Sequence, residues 1–399
     1  MTKKIPPLVY QTISMGCDPE FFFKVDGETI GAEKILPKNG LSNPNYSNSK
    51  FVIDGVQAEL NPSPDTCRAR LANQISNCFK QLDAELKKQG GNIKADFSRT
   101  IEISKENLLA LSEDSRKFGC APSTNAYRSS SGMKIDAVDP TEYRTRAAGG
   151  HIHIGHGSST TWKKAFTKDT KRTVQIFDLI VGNTCVLIDR DPSNIERRKL
   201  YGRAGEYRLP NHGLEYRTLS NFWLTSYPLM SLVFALARFA TQIAVSPHAD
   251  IYHKEFMKDI YVKDIKNAIN NNDFDIAMVN FEKIRPVWEK IQGEYAGSTP
   301  NQESWALTKE SIPRFLYFVN KIKEHGLGYW FKEDPMIHWT TLREAHSGGF
   351  YDYQRINIAD DMRKEQAKAV ADAMPLVVTT PTVVAAQMDL PILGMNRVQ

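Results

Sequence analysis

Hydrophobic positions change their period several times along the chain. Around residues 16–25 and 51–61 they alternate with polar ones, the pattern of a half-buried strand. From Asp65 to Gln89 the residues Leu71, Ile75, Cys78, Phe79, Leu82 and Leu86 keep helical spacing. Asp65, following Pro64, reads as the N-cap, and Gly90-Gly91 as the stop. The spacing predicts two further helices, over about 161–189 and 225–246, with glycine-rich runs at 149–157 and 202–221. The strands follow one another too closely for repeated βαβ units, so the expected fold class is α+β. The most apolar stretch, Leu229 to Val245, is 17 residues long and includes Arg238 and Gln242. That falls short of the roughly 20 residues a membrane span needs, and reads as a buried core helix.

Beyond His248 the pattern becomes helical and charged, with Phe315, Val319 and Ile322 at helical spacing. The expected organisation is therefore a main domain over 10–250, an accessory helical region over 251–375 and an extended tail over 376–399. With 399 residues, 41% of them hydrophobic, the chain has enough apolar material for a sizeable core and is no disordered segment. A net charge of +5, from 51 basic and 46 acidic residues, is too mild for a nucleic-acid binder. Cysteines 17, 67, 78, 120 and 185 form no CxxC pair, which excludes a cysteine zinc site and a disulfide framework and fits a reducing compartment. The opening MTKKIPPLVYQTISMG holds no apolar run of the kind a secretory signal needs. The expectation is a cytoplasmic protein with no membrane and no nucleic-acid partner.

Five short segments each carry polar groups at i and i+2 with apolar or aromatic residues between or beside them. GCDPEFFF supplies Asp18 and Glu20, GVQAELNPSP supplies Glu59 and Asn61, and GGHIHIG supplies His151 and His153. GEYRLP adds Glu206 and Arg208, and GLEYRTLSNFW adds Glu215 and Arg217. Residues i and i+2 of a strand share a face. A sheet of these strands has one apolar face for helices, including Phe21, Phe23, Leu60, Ile152 and Ile154, and one ionisable face. Any single E-x-R or H-x-H is ordinary strand decoration; five in one chain are not.

Two carboxylates about 4 Å apart repel by roughly 4 kcal/mol at an effective dielectric near 20. A concave acidic face therefore needs protonation or divalent cations. Oxygen ligands with one or two imidazoles suit Mg²⁺ or Mn²⁺. Arginines on the same surface imply an anion beyond the metals, most economically a polyphosphate. There is no GxxxxGK[ST], no GxGxxG after a strand and no GxSxG, so P-loop, Rossmann and α/β-hydrolase chemistry are set aside.

Taken in order, GCDPEFFF, VQAELNPSPDTCRARL, GGHIHIG and YGRAGEYRLPNHGLEYRTLSNFW resemble the carboxylate–amine ligases of the glutamine synthetase and γ-glutamylcysteine ligase fold. The resemblance is to the phage-type COOH–NH2 ligase (amidoligase) branch and runs from about residue 13 to 245. It implies a curved antiparallel sheet with a polar metal and ATP face, and helices on the other side. It implies Glu20, Glu59, Glu215, His151 and Asp18 as metal ligands, with His151 and His153 also meeting nucleotide phosphates. Arg203, Arg208 and Arg217 correspond to arginines that neutralise phosphates, Arg217 also clamping an acyl phosphate. The first strand reads D-x-E where many relatives have E-x-E, one methylene shorter at Asp18. The implied cofactors are ATP and Mg²⁺, with Mn²⁺ as a substitute, and the partners are small-molecule or peptide carboxylates and amines.

Two other readings stand beside this one: a metal-dependent hydrolase, and a structural protein that keeps the fold without activity. His212, His248, His253, His325, His338 and His346 read as isolated structural or exposed histidines, and CAPSTNAYR (120–128) as a substrate loop. Arg217→Ala is expected to leave the fold intact while cutting ADP formation. Truncation after Pro375 is expected to retain ATP binding, measured by titration; a truncated chain that precipitates or no longer binds makes the tail an integral strand.

Overall fold

Short alternating segments, each ended by glycine, proline or a turn, give strands of two to six residues. In chain order these are β1 (Ser14–Cys17), β2 (Glu20–Val25), β3 (Glu28–Ile30), β4 (Leu41–Ser42), β5 (Lys50–Asp54), β6 (Gln57–Asn61), β7 (Ile93–Asp96), β8 (Thr100–Glu102), β9 (Thr124–Asn125), β10 (Thr145–Ala147), β11 (Ile152–Gly155), β12 (Glu206–Arg208) and β13 (Gly213–Tyr216). The computed structural model describes residues 5–9, 11–43, 49–118, 123–128, 139, 142–157, 159–294, 307–343, 345 and 356–373. The chain divides into two compact units, Met1–Ile358 and Ala359–Gln399. The helices of the expected accessory region up to residue 341 fall within the first unit, and the expected tail, 376–399, lies outside the described residues. In the second unit the described residues continue the helix Ile358–Ala373.

The fold mixes helices with antiparallel sheet, as the strand spacing predicts, but the polar strands do not share one sheet. One sheet has the order β1-β11-β13-β12-β9; a second has β3-β2-β6-β5-β4, with β7 also on β2. The break falls at Asp18-Pro19, between β1 and β2. Pro19 has no amide hydrogen to give a ladder. Its carbonyl still accepts from Leu60 N at 3.0 Å, and Glu20 N donates to Gly149 O at 2.8 Å, so the two sheets meet at a seam.

The apolar side of the second sheet follows from the alternation. Phe21 pairs across the ladder with Ala58, and its ring packs against Phe51, Phe79 and Phe97 at 5.5–5.8 Å. Phe79 comes from the helix Arg68–Gln89, whose buried stripe is the one the spacing predicts. Each such aromatic pair adds about 0.5–1.5 kcal/mol beyond its area. Asp65 is not that helix's N-cap: Cys67 occupies the cap position, while Asp65 accepts from Cys67 N at 2.7 Å and pairs with Arg70. Its backbone is already committed to a bridge with Met15, which keeps it outside the helix.

The helix expected over 161–189 is broken. It runs as Thr160–Thr167, Thr170–Phe177, a π-helical turn Asp178–Gly182 and Asn183–Val186. The helix Tyr227–Ala244 starts at the Ser226 cap with Pro228 in its first turn, and all of its residues are buried. It is the one described helix long and apolar enough to cross a membrane, and it lies wholly inside the protein. Arg238 and Gln242 donate to the carbonyls of Thr66 and Gln11.

Candidate functional site

Both sheets turn their ionisable faces to the seam. On β2 and β6, Glu20 stands directly opposite Glu59. The partner strand β5 places Asp54 opposite Gln57, and ligand oxygens of Glu20, Asp54 and Glu59 lie within 4.8 Å of one another. Glu20 accepts from Gly149 N and from the Tyr201 hydroxyl, both at 2.7 Å. Glu59 accepts from Asn61 at 2.8 Å. None of the three carboxylates has an ion-pair partner among the described residues.

The other sheet assembles a nitrogen-containing cluster. Antiparallel register sets His153 opposite Glu215, and Arg208 opposite Glu215 on the other side. Asp18, just past β1, reaches His151 Nδ1 at 3.2 Å and His153 Nε2 at 3.1 Å. Glu215 lies 3.5 Å from His151 Nδ1, 3.7 Å from Arg208 and in direct ion pair with Arg217. Ligand atoms of Asp18, His153 and Glu215 fall within 4.8 Å. His151 Nε2 is buried without a polar partner among the described residues. Gly149 makes room for that ring, since a Cβ there would stand 2.4 Å from His151 Nε2.

Electrostatics mark the two clusters as opposites. Burial alone would raise Asp18, but His151 and His153 outweigh it and hold the carboxyl well below the usual range. Burial and then Asp54 push Glu20 up to about 7, against the donors from Gly149 and Tyr201. Burial, followed by Asp18, Asp54 and Glu20, pushes Glu59 to about 9. Asp54 is raised by burial and by Asp18, with Arg208 and Arg217 opposing. Burial lowers His151, while Asp18 raises His153 in spite of burial. Without a cation the first cluster keeps protons; its oxygen-only donor set and uncompensated carboxylates fit a divalent ion.

A pH dependence follows. Unfolded glutamates release their protons near 4.3, whereas folded Glu20 and Glu59 hold theirs to about 7 and 9. Across that window the folded state binds more protons, so stability is fully present below it and is lost as pH rises. His151 and Asp18 act in the opposite sense only near and below pH 6.5. In EDTA the melting temperature is expected to fall from pH 7 to 9, and less so with Mg²⁺. A flat profile in EDTA removes the carboxylate convergence.

Of the residues singled out in the sequence, Asp18, Glu20, Glu59, His151, His153, Arg208, Glu215 and Arg217 converge at the seam. Arg203 stands apart, its Nε donating to the Arg198 carbonyl at 2.6 Å, with no ion pair to either cluster among the described residues. Arg217 is 1% exposed, so the expectation that Arg217→Ala leaves the fold intact is corrected: it would bare buried Glu215. Asp54 was missed because Asp54-Gly55 reads as a hairpin turn; its place as the last residue of β5, opposite Gln57 of the next strand, was the available signal. His212 is no isolated histidine, since its Nε2 meets His153 Nδ1 at 3.0 Å. His338 is structural, accepting from Tyr227 N at 2.9 Å. In 120–128, residues 124–125 form an edge strand and 120–122 lie outside the described residues. His346 is outside them too.

Residues 137–288 match the family model described as Phage phiEco32-like COOH.NH2 ligase-type 2, the family the motifs resemble. The matched stretch holds His151, His153, Arg203, Arg208, Glu215 and Arg217; Asp18, Glu20, Asp54 and Glu59 precede it. Among solved structures, a bifunctional glutathione synthetase from Pasteurella multocida is similar at 11% identity, over 82% of this chain and 50% of that one, with a TM-score of 0.39. The chain spans about half the length of that protein, and the likeness is too slight to carry an argument. No curated protein matches.

Proposed function

We propose that this chain, whose residues 137–288 match the model of the phage-type COOH–NH2 ligase family, joins a carboxylate to an amine at the expense of ATP through an acyl phosphate. The observation that carries the reading is the meeting of two metal-competent acid clusters with Arg208 and Arg217 at one seam. A glutamine-synthetase-like catalytic domain over 10–250, with 251–375 as accessory helices, is part of the same proposal. The antiparallel ladders and their ionisable face support it.

Glu20, Asp54 and Glu59 are suited to hold one divalent ion, and Asp18, His153 and Glu215 a second, with His151 beside them. When bound, Mg²⁺ or Mn²⁺ neutralises phosphate charge and the repulsion among these acids. Arg208, with its side chain 31% exposed, is the cation placed to meet an anionic ligand. Arg217, buried, holds Glu215 in position. The substrate carboxylate oxygen bonds to the γ-phosphorus as the bond to the β–γ bridging oxygen breaks and ADP leaves. The amine nitrogen then bonds to the acyl carbon, the carbon–oxygen bond to phosphate breaks, and the amine proton goes to solvent. The chain contributes position and charge compensation, which is most of what phosphoryl transfer requires.

Calorimetric titration with Mg–ATP tests nucleotide binding. An ADP-release screen over amino acids, polyamines and peptides tests ligation; product formed without ATP would favour a metal-dependent hydrolase. Arg208→Ala is expected to melt with the wild type yet release ADP about a hundredfold more slowly, a loss of about 3 kcal/mol of transition-state stabilisation. Wild-type ADP release from that variant removes Arg208 from the site.

A further inference from the structure

We infer that His212 is a positioning residue for the nitrogen-containing cluster: it fixes the orientation and tautomer of His153 so that Nε2 faces Asp18 and Glu215 with a free lone pair. The inference rests on reading that cluster as a divalent-metal site. The His153 ring is held between two partners, with Asp18 Oδ2 at 3.1 Å from Nε2 and His212 Nε2 at 3.0 Å from Nδ1. Imidazole ligates through an unprotonated nitrogen. If Nε2 serves the cluster, the proton must sit on Nδ1 and needs an acceptor there. Among the described residues His212 is the hydrogen-bond partner of that nitrogen.

The position of His212 is built into the backbone. It lies in the turn joining β12 to β13, and its carbonyl accepts from His156 N at 2.9 Å. The next residue, Gly213, passes the Ile154 carbonyl so closely that a Cβ would stand 1.9 Å from it. The turn is thereby pressed onto β11, two residues along from His153 on the paired strand. The two rings lie 5.2 Å apart and tilted by 34°. His212 itself is exposed, so replacing it leaves no cavity.

With the proton on His153 Nε2, facing Asp18 Oδ2 across 3.1 Å, Nδ1 would accept from His212. In the ligating arrangement both rings carry their proton on Nδ1, His153 donates to His212, and the number of protons is unchanged. An orienting partner of this kind is worth about 10–100-fold in metal affinity.

The test is Mn²⁺ binding, followed by electron paramagnetic resonance in a Glu59→Gln background that disables the oxygen-only cluster. His212→Leu is expected to weaken Mn²⁺ binding at least about tenfold with an unchanged melting temperature. His212→Gln, whose Oε1 can accept from Nδ1–H, should retain most of the affinity. His153→Ala should abolish it. Full affinity in His212→Leu, or equal losses in the leucine and glutamine variants, overturns the inference while leaving the metal site in place. If His153→Ala and Asp18→Asn both bind Mn²⁺ like the parent, the metal reading itself has failed, and the inference with it.

Discussion

Glu59→Gln is expected to melt at or above the wild-type temperature in EDTA at pH 8, to gain less on addition of Mg²⁺, and to release no ADP. Glu59 lies opposite Glu20 and beside Asp54, and burial with these neighbours raises it to about 9. The amide keeps the shape, and its NH2 can turn toward a neighbouring carboxylate. It also removes a group that costs the folded state up to about 1.4 kcal/mol for each pH unit above the unfolded value. The fall of wild-type melting temperature between pH 7 and 9 should flatten in the variant. A ligand that binds only the native state stabilises by mass action, so a lost metal carboxylate appears as a smaller Mg²⁺ shift. Were Glu59 an ordinary surface acid, the two proteins would melt alike in both media and turn over alike. Equal Mg²⁺ shifts remove it from the metal site.

Arg217→Ala is expected to lose about 3–5 kcal/mol of stability, the usual cost of leaving one member of a buried pair without its partner. Both Arg217 and Glu215 are almost fully buried. The Tyr201 ring lies 5.8 Å from the guanidinium and Arg217 adds charge beside Glu206, so the change disturbs more than one contact. Denaturant unfolding of Arg217→Ala, Glu215→Ala and the double variant gives the coupling. The double variant should recover part of what Arg217→Ala loses. Strict additivity would mean that the pair does not couple, and that Arg217 serves a ligand rather than Glu215. Arg217→Ala should also release ADP at least about a hundredfold more slowly than wild type, but with the pair broken that loss reports on Glu215 as well. Arg208→Ala isolates the charge effect.

The polar segments were legible because strands of three to six residues carry their face assignment in a period of two. Glu20, His153 and Glu215 could be placed on one face from their neighbours alone. What the alternation does not encode is register between distant strands. Pairing of β5 with β6 brings Asp54 to Glu59, and pairing of β11 with β13 brings the 209–212 turn to His153. Period two also stops at Phe22, which belongs by alternation with Glu20 but is buried with Val56, Ile101, Ile103 and Leu108. Buried charges were the other blind spot. Arg197 is fully buried and donates to the carbonyls of Ala148, Thr218 and Leu219, a role that looks identical in sequence to a solvated helix arginine. The break of the long helix at residues 168–169 carried no glycine or proline to announce it.

The proline at the seam also guards against misassembly. Strands this short have little to hold them in one alignment, and a slip of one residue would turn every acid of a strand toward the apolar layer. A slip that carried β2 back through the joint would bring Pro19 into a ladder position that demands an N–H, and one that carried β1 forward would do the same from the other side. Alternative alignments are thus penalised by a missing hydrogen atom, independently of how well the surrounding core is packed. Core substitutions that loosen either sheet should cost stability without scrambling which acids face each other, because Asp18 and Glu20 remain tethered on the two sides of a residue that can accept a ladder hydrogen bond but cannot give one.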